Sequence, residues 1–160
     1  AGLVPLSDRP EGLTVLRTRR ASHLKHHPGQ SSFPGGRMES ADAGPWEAAV
    51  REAQEEIGLA PEYVSLAGYL HDHLVITGYI ITPAVAFVRP GFELKLDTTE
   101  VEDAFEVPLE FVLDPINHVA STRVFAGQAF TTHDIPYGER HIWGATAGML
   151  LSLYQMLQEV

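Results

Sequence analysis

The stretch FPGGRMESADAGPWEAAVREAQEEIGL, residues 33–59, decides the fold of this chain. At about 100° per residue on a helix, Glu52, Glu55 and Glu56 share one face, within about 100° of one another. Apolar residues form a contiguous stripe beside that acidic face, and they are Trp46, Ala49, Val50, Ala53 and Ile57. The stretch therefore predicts an amphipathic helix with one face toward a core and one face of carboxylates.

The ends of this helix are also indicated by the sequence. Pro45 suits a first helical turn, and Gly44 or Asp42 stands where a capping residue is expected. Gly58 is the residue type expected just past the last turn. We therefore expect the helix to begin near Pro45 and to end before Gly58.

Three carboxylates within one helical turn repel each other, so the pattern needs a compensating charge. Hard divalent cations such as Mg²⁺ and Mn²⁺ take oxygen ligands and keep waters and substrate phosphates in their shell. For an isolated E-x-x-E-E pattern the alternative is a solvated acidic face. Two neighbours favour a metal site, because Arg51 can pair with Glu55 four residues later and the glycines of Phe33–Gly36 can bring a carbonyl close to an ion.

The rest of the chain alternates between strand patterns and turns. Residues 1–6 and 13–18 predict a β-hairpin, and residues 19–32 predict a polar, basic loop. Residues 92–96 alternate as a half-exposed strand, and an amphipathic helix is predicted to run through Leu157. Pattern alone thus predicts several short strands and two or three helices.

Gly36 and the later run REAQEEIGL, residues 51–59, resemble the Nudix box, which is a glycine, a spacer and R-E-U-x-E-E-x-G-U, where U is a bulky aliphatic residue. Fifteen residues separate Gly36 from Glu52, one more than in the general box. Ala53 stands where a larger aliphatic residue is common. The branch of the family that hydrolyses coenzyme A carries the same longer spacer.

A second motif precedes the box. LRTRRASHLKHHPGQSSFPGG, residues 16–36, is similar to the signature L-L-T-x-R-(S/A)-x-x-L-R-x-x-x-G-x-x-x-F-P-G-G of the coenzyme A branch. It departs at Arg17, where leucine is usual, and at Lys25, where arginine is usual. Two linked motifs with this spacing resemble the coenzyme A pyrophosphatase subfamily of Nudix hydrolases.

This resemblance implies an α/β/α sandwich within the α+β class, formed by one Nudix domain over residues 1–160. A mixed, mostly antiparallel sheet would lie between the box helix and the C-terminal helix. The chain opens without an initiator methionine, on a strand already under way, so we expect a short N-terminal segment to be missing.

The resemblance also implies the site residues. The metal ligands would be Gly36, Glu52, Glu55 and Glu56, and the ions would be Mg²⁺ or Mn²⁺. The segment from Glu100 to Leu109 resembles the family pattern E-V-x-x-x-F-x-V-P-L, whose acidic residue approaches the metals or acts as the base. The catalytic residues would thus be Arg51, Glu52, Glu55 and Glu100, with the base left open between Glu52 and Glu100. Contacts with the substrate phosphates are assigned to Arg19, Arg20, Lys25 and Arg37.

Composition limits the partners. The net charge of −10 and the pI near 5.1 argue against a nucleic-acid surface, because that binding depends on basic residues. The chain has no cysteine, which excludes disulfides and thiolate catalysis, and it has no apolar run long enough to cross a membrane. We expect a cytoplasmic protein with a small-molecule substrate, and the sequence leaves a homodimer open.

The expected reaction is metal-dependent hydrolysis of coenzyme A or an acyl derivative to 3′,5′-ADP and 4′-phosphopantetheine or its acylated form. Two alternatives stay open at this point. A Nudix pyrophosphatase for ADP-ribose, NADH or another nucleoside diphosphate derivative needs only the box. A non-catalytic nucleotide sensor would bind its ligand without metal-dependent turnover.

Overall fold

A mixed β-sheet separates two layers in the computed structural model, which describes residues 1–23, 31–74, 80–138 and 140–159. Short 3₁₀ helices lie at Pro61–Tyr63 and Pro115–Asn117. None of the described helices combines the length and the apolar composition that a membrane crossing requires. The other elements, in chain order, are β1 (Gly2–Arg9), β2 (Gly12–Arg20), β3 (Ser31–Ser32), α1 (Pro45–Ile57), β4 (Val64–Tyr69), β5 (His73–Leu74), β6 (Ile80–Ile81), β7 (Pro83–Val88), β8 (Val101–Pro108), α2 (Leu109–Leu113), β9 (Val119–Phe125), β10 (Gln128–Tyr137), β11 (Arg140–Trp143) and α3 (Gly144–Gln158).

The large sheet is built around β1 and β2, which form the predicted antiparallel hairpin. β1 pairs in parallel with β7, and β4 pairs antiparallel with β7 on its other side. β8 pairs antiparallel with β2, and β3 pairs with the end of β2 at Thr18 and Arg19. Strands β9, β10 and β11 form a separate antiparallel sheet, and β5 pairs with β6. The prediction of a mixed, mostly antiparallel sheet is confirmed.

Each face of the large sheet buries its own apolar cluster. One cluster packs α1 against the sheet, and its buried members are Leu3, Leu16, Ala49, Ala53, Ile57, Leu59, Ala84, Ala86, Val88 and Val101. The opposite cluster includes residues of α3 and of strands β10 and β11, and its members include Val4, Val15, Phe33, Val85, Val107, Ile135, Ile142, Ala147 and Leu150. Successive residues of β1 and β2 enter opposite clusters because side chains alternate along a strand. The predicted α/β/α sandwich is thus confirmed.

Two sequence predictions about local structure are wrong. Arg19 and Arg20 lie on β2 rather than in a loop, because the strand continues alongside β8. Residues 92–96 form no strand, because the Lys95 N–H donates to the carbonyl oxygen of Ile57, the last residue of α1, at 2.7 Å. The backbone N–H of Lys95 is therefore bonded to the end of α1 and is not available to pair with a neighbouring strand.

A bidentate ion pair joins the first strand to the end of β8. Arg9 donates through Nε and Nη2 to Oε1 and Oε2 of Glu106, at 2.8 and 2.7 Å. The hydroxyl group of Thr14 donates to Oε1 of the same carboxylate. The side chains of Arg9 and Glu106 are 34% and 29% exposed, so the pair is only partly screened by water.

Glu106→Gln is expected to lower the free energy of unfolding by about 1 kcal/mol at neutral pH, since a charge-assisted pair becomes a neutral contact. The hydrogen bond from Arg9 lowers the pKa of Glu106, so its contribution is present above the unfolded value of about 4.3 and is lost as the pH falls through the folded value. Urea unfolding at neutral and acidic pH measures the difference in the free energy of unfolding between the variant and the wild type. The exposed Glu110→Gln variant is the control, and a destabilisation of Glu106→Gln that persists undiminished at about pH 2.5 would contradict the prediction.

Candidate active site

Arg51 joins the loop before α1 to the acidic face of the helix. Its Nε and Nη2 atoms donate to Oδ1 and Oδ2 of Asp42, both at 3.0 Å, so the ion pair is bidentate. The side chain of Asp42 is 6% exposed, whereas Glu39, which lies 3.5 Å from the same guanidinium, is 64% exposed. Nη2 of Arg51 also donates to the carbonyl oxygen of Arg37 at 3.3 Å. The arginine therefore fastens residues 37–42 to the helix.

The same guanidinium contacts two of the three carboxylates on the acidic face. Nη1 of Arg51 donates to Oε1 of Glu52 and to Oε2 of Glu55, each at 3.2 Å. The predicted pairing of Arg51 with Glu55 is therefore present, although Glu55 is exposed and the pair is weakened by solvent. Arg51 lies between two like charges and offsets their repulsion.

A pair of glycines brings the backbone against the acidic face. The Gly35 N–H donates to Oε2 of Glu56 at 3.1 Å. A Cβ atom at Gly36 would lie 2.5 Å from Oε1 of Glu52, so any larger residue there would displace that carboxylate. Gly36 is itself held by Ala1, because its N–H donates to the Ala1 carbonyl oxygen at 3.1 Å and its own carbonyl accepts from the Ala1 nitrogen at 2.9 Å. Because they have no side chains, Gly35 and Gly36 thus allow the carboxylates of Glu52 and Glu56 to approach the backbone of residues 35–36.

The environment of Glu56 makes its ionised form costly. Burial raises the pKa of Glu56 to about 8, and the negative charges of Glu52 and Glu100 add to this increase. The hydrogen bond from the Gly35 N–H and the positive charge of Arg20 act in the opposite direction. Burial also raises the pKa of Glu52. A cation beside these carboxylates would favour their ionised forms.

A buried arginine supports the loop that leads to the glycine pair. Arg17 is 0% exposed, and burial lowers its pKa well below the usual value of an arginine. Its guanidinium lies 4.2 Å from the centroid of the Phe33 ring, and its Nε donates to the carbonyl oxygen of Ser32 at 3.4 Å. The hydroxyl group of Thr18 donates to the same carbonyl oxygen at 3.1 Å. Arg17, one of the two departures from the sequence motif, therefore contacts the residues directly before the glycines.

The charge of Glu100 acts on two of the box carboxylates. This residue directly precedes β8 and is exposed. Its charge raises the pKa of both Glu52 and Glu56, which places its carboxylate within electrostatic range of the helix. Glu55, by contrast, is 58% exposed and pairs with Arg51.

The two arginines at the end of β2 differ in their surroundings. Arg20 lies near enough to Glu56 to lower the pKa of that carboxyl group. Nε of Arg19 lies 3.2 Å from Oε2 of Glu102, and both of these side chains are largely exposed. Of this pair, Arg20 is therefore the one whose charge acts on the acidic cluster.

The other two predicted substrate contacts are Arg37 and Lys25. Arg37 directly follows the glycine pair and is exposed, and its backbone carbonyl accepts from Arg51. Lys25 lies outside the described residues.

The donor set fits a hard divalent cation. Glu52, Glu55 and Glu56 offer carboxylate oxygens, and the Gly36 carbonyl oxygen has a second lone pair besides the one used by Ala1. As the side chains stand, no three His, Cys, Asp or Glu residues of the described ranges converge to hold an ion. Arg51 binds Glu52 and Glu55 in this arrangement, so cation binding would require those carboxylates to leave the guanidinium. In charge and in donor type the residues nevertheless match Mg²⁺ or Mn²⁺.

Asp42 has a role at the site that the sequence does not indicate. Of the two predicted capping residues, Gly44 or Asp42, Gly44 occupies the N-cap position, whereas Asp42 binds Arg51. Asp42 and Arg51 are nine positions apart, and Asp42 lies outside the helix. No helical spacing could therefore have indicated their contact.

Comparison with known proteins finds a known domain family over most of the chain. The NUDIX domain profile matches residues 1–126 of the chain. A protein named uncharacterized Nudix hydrolase NudL, from Enterobacter sp. (strain 638), is 37% identical over 153 residues, which are 96% of this chain and 79% of that protein.

Two solved structures share the fold. The Nudix hydrolase RenU from M. smegmatis has a TM-score of 0.63 at 20% identity, over 99% of this chain and 81% of that one. The NUDIX domain of NrtR from Shewanella oneidensis, solved with ADP ribose, has a TM-score of 0.58 at 15% identity, over 98% of this chain and 85% of that one. At these identities the likeness extends to the fold alone.

We expect the metal-free protein to lose stability as the pH rises from about 5 to about 8. The folded state keeps the Glu56 proton up to about pH 8, whereas the unfolded chain loses it near pH 4.3. The stabilisation by protonated Glu56 is therefore complete below the pKa of Glu56 in the unfolded chain and is lost as the pH rises through its pKa in the folded protein. The free energy of unfolding should fall by at most about 1.4 kcal/mol per pH unit. Thermal unfolding in EDTA across this pH range measures the change in stability. Glu56→Gln should flatten the dependence, the exposed Glu47→Gln should not, and an equal slope in Glu56→Gln would contradict the assignment.

Asp42→Asn is expected to weaken Mn²⁺ binding by roughly tenfold, the lower end of the effect of residues that orient metal ligands. Without its bidentate partner, Arg51 would bind Glu52 and Glu55 more tightly and compete with the cation. Isothermal titration calorimetry with MnCl₂ measures the affinity. Glu39→Gln is the matched control, because it removes an exposed carboxylate near the same arginine and should change the affinity less than twofold, as expected for an exposed ion pair. Equal affinities in Asp42→Asn and wild type would show that Asp42 does not support the ligands.

Proposed function

The chain belongs to the Nudix family and is a Nudix hydrolase, and we propose that it cleaves the diphosphate of coenzyme A or an acyl-coenzyme A. The products would be 3′,5′-ADP and 4′-phosphopantetheine or its acylated form. The observation that carries the proposal is the contact between the two sequence motifs that resemble the coenzyme A branch. Residues 16–36 end in the glycine pair that contacts Glu52 and Glu56 of the box helix.

The position of Arg20 supports an anionic substrate. The chain carries a net charge of −10, so a substrate with several phosphates would be repelled by most of its surface. Arg20 belongs to the first motif, and its charge acts on Glu56 of the second. Arg20 therefore provides positive charge that acts on the acidic cluster, and Arg37 is an exposed cation directly after the glycine pair. The substrate phosphates would bind to these two arginines.

Hydrolysis of a diphosphate requires neutralised phosphate oxygens, an activated water and correct placement of the two. A bound Mg²⁺ or Mn²⁺ supplies charge neutralisation and lowers the pKa of a coordinated water. Glu52, Glu55, Glu56 and the Gly36 carbonyl would hold it. We assign the ion to this set because Gly35 and Gly36 bring the backbone within reach of two of the three carboxylates.

The remaining roles follow from the contacts of each side chain. Arg51 orients Glu52 and Glu55 and does not react, because its guanidinium is held by Asp42. The proton of the attacking water goes to a neighbouring carboxylate, and Glu52 and Glu100 are the candidates.

The test of the proposal is a product analysis with Mg²⁺ or Mn²⁺. Coenzyme A, its 3′-dephospho form, ADP-ribose and NADH are incubated separately with the protein, and the products are separated by chromatography. We expect 3′,5′-ADP from coenzyme A well ahead of the products from the other three. Glu56→Gln is the control for the site and should nearly abolish turnover with an unchanged circular dichroism spectrum, because a metal ligand contributes several kcal/mol to lowering the barrier. Cleavage of ADP-ribose or NADH with coenzyme A left intact would refute the substrate, and tight binding without turnover would favour a sensor.

A further inference from the structure

Asp97 lies directly against the end of the helix that carries the box carboxylates. Its N–H donates to the carbonyl oxygen of Glu56 at 2.8 Å, and the Lys95 N–H donates to the carbonyl oxygen of Ile57 at 2.7 Å. The last carbonyl groups of a helix have no partner within the helix, so these two bonds cap α1. The residue that supplies a predicted metal ligand is thus tied through its backbone to Asp97.

The packing at this helix end leaves little room for movement. Gly58 ends α1 in the left-handed conformation with φ of 69°, which glycine adopts without strain. A Cβ atom at Gly58 would lie 2.8 Å from the Lys95 nitrogen. The segment that contains Asp97 is therefore in direct contact with the helix end.

The other polar groups of Asp97 build the turn that leads to Glu100. Its Oδ1 accepts from the Thr99 N–H at 3.1 Å and from the Thr99 hydroxyl group at 2.6 Å. Its carbonyl oxygen accepts from the N–H groups of Glu100 and Val101, at 3.0 and 2.8 Å. One residue thus makes five hydrogen bonds, of which one reaches the box helix and four shape the turn before β8.

Glu100 is connected to the substrate side of the site as well. Its carbonyl oxygen accepts from the Ala21 N–H at 3.0 Å, directly after Arg20. Its side chain is exposed and can reach water, whereas the Glu52 side chain is 15% exposed and bound by Arg51. Of the two candidate bases, Glu100 is therefore the more accessible.

We propose that Asp97 is a positioning residue that holds Glu100 at a fixed place relative to the box helix, so that Glu100 accepts the proton of the attacking water. The inference rests on the proposed function, because it assigns the base of that reaction. The side chain of Asp97 acts as a hydrogen-bond acceptor for Thr99, and its negative charge is not required.

The first test measures kcat and KM for coenzyme A with Mg²⁺ in three variants. Asp97→Ala removes both bonds to Thr99 and should lower kcat on the order of 10- to 100-fold, the effect of a misplaced catalytic group, with KM within about twofold of wild type. Asp97→Asn keeps an oxygen acceptor at the same place and should remain close to wild type. Thr98→Ala is the matched control, because Thr98 is exposed in the same turn. Loss of kcat in Asp97→Asn as large as in Asp97→Ala would overturn the proposal.

The second test asks whether Asp97 acts through Glu100. Glu100→Gln should lower kcat on the order of 100-fold, the usual contribution of a general base. The double variant Asp97→Ala/Glu100→Gln should then be no slower than Glu100→Gln alone, because coupled residues are not additive. Additive losses, or full activity of Glu100→Gln, would overturn the proposal and leave the hydrolase assignment intact.

The third test does not depend on turnover. Hydrogen exchange of the amides of residues 99–101 should be faster in Asp97→Ala than in wild type and unchanged in Asp97→Asn, since the Thr99 bonds close the turn. Thr99→Val, which removes the hydroxyl bond alone, should show an intermediate rate. Unchanged amide exchange in Asp97→Ala would overturn the proposal, whether or not the wild-type protein is active. Inactivity of the wild-type protein on every substrate would instead refute the proposed function.

Discussion

The crowding of carboxylates on one turn of α1 is the constraint on which the site depends. Glu52, Glu55 and Glu56 would repel one another on an isolated helix, and in the protein each has a compensating contact. Arg51 binds Glu52 and Glu55 at 3.2 Å, and the Gly35 N–H binds Glu56 at 3.1 Å. Burial, to which the negative charges of Glu52 and Glu100 add, nevertheless raises the pKa of Glu56 to about 8. A divalent cation beside these carboxylates would favour their ionised forms.

Both ends of α1 are held by segments that contribute to the site. Before the helix, Asp42 binds Arg51 and so fixes the loop that follows Gly36. After the helix, the Asp97 N–H binds the carbonyl of Glu56 and the turn continues to Glu100. The apolar stripe of the helix is buried against β1 and β7, so the helix cannot rotate to relieve either contact. The acidic face is thus oriented by the core on one side and by hydrogen bonds at both ends.

Much of the local structure could be predicted because it depends on neighbouring residues. The helix begins at Pro45 and ends before Gly58 as its capping pattern indicated. The hairpin of β1 and β2 was indicated by two short strand patterns on either side of a turn rich in Asp, Pro and Gly. The predicted strand at residues 92–96 is wrong because its backbone is used by the end of α1, a contact with no local signal. The prediction of a loop at Arg19 and Arg20 is wrong for a related reason, since the strand that pairs with the end of β2 is β8, some eighty residues further along the chain.

The sequence by itself determined the family resemblance, the acidic helix and the residues expected at the metal site, because these are read from residue types and their spacing along the chain. Only the tertiary structure decided that Asp42 is the bidentate partner of Arg51, that Arg17 is buried against Phe33, and that Asp97 links Glu56 to Glu100. Each of those contacts joins a loop residue to a helix or a strand that lies apart from it in the sequence. Their geometry depends on how the sheet, the helix and the connecting segments pack, and residue spacing along the chain carries no such information.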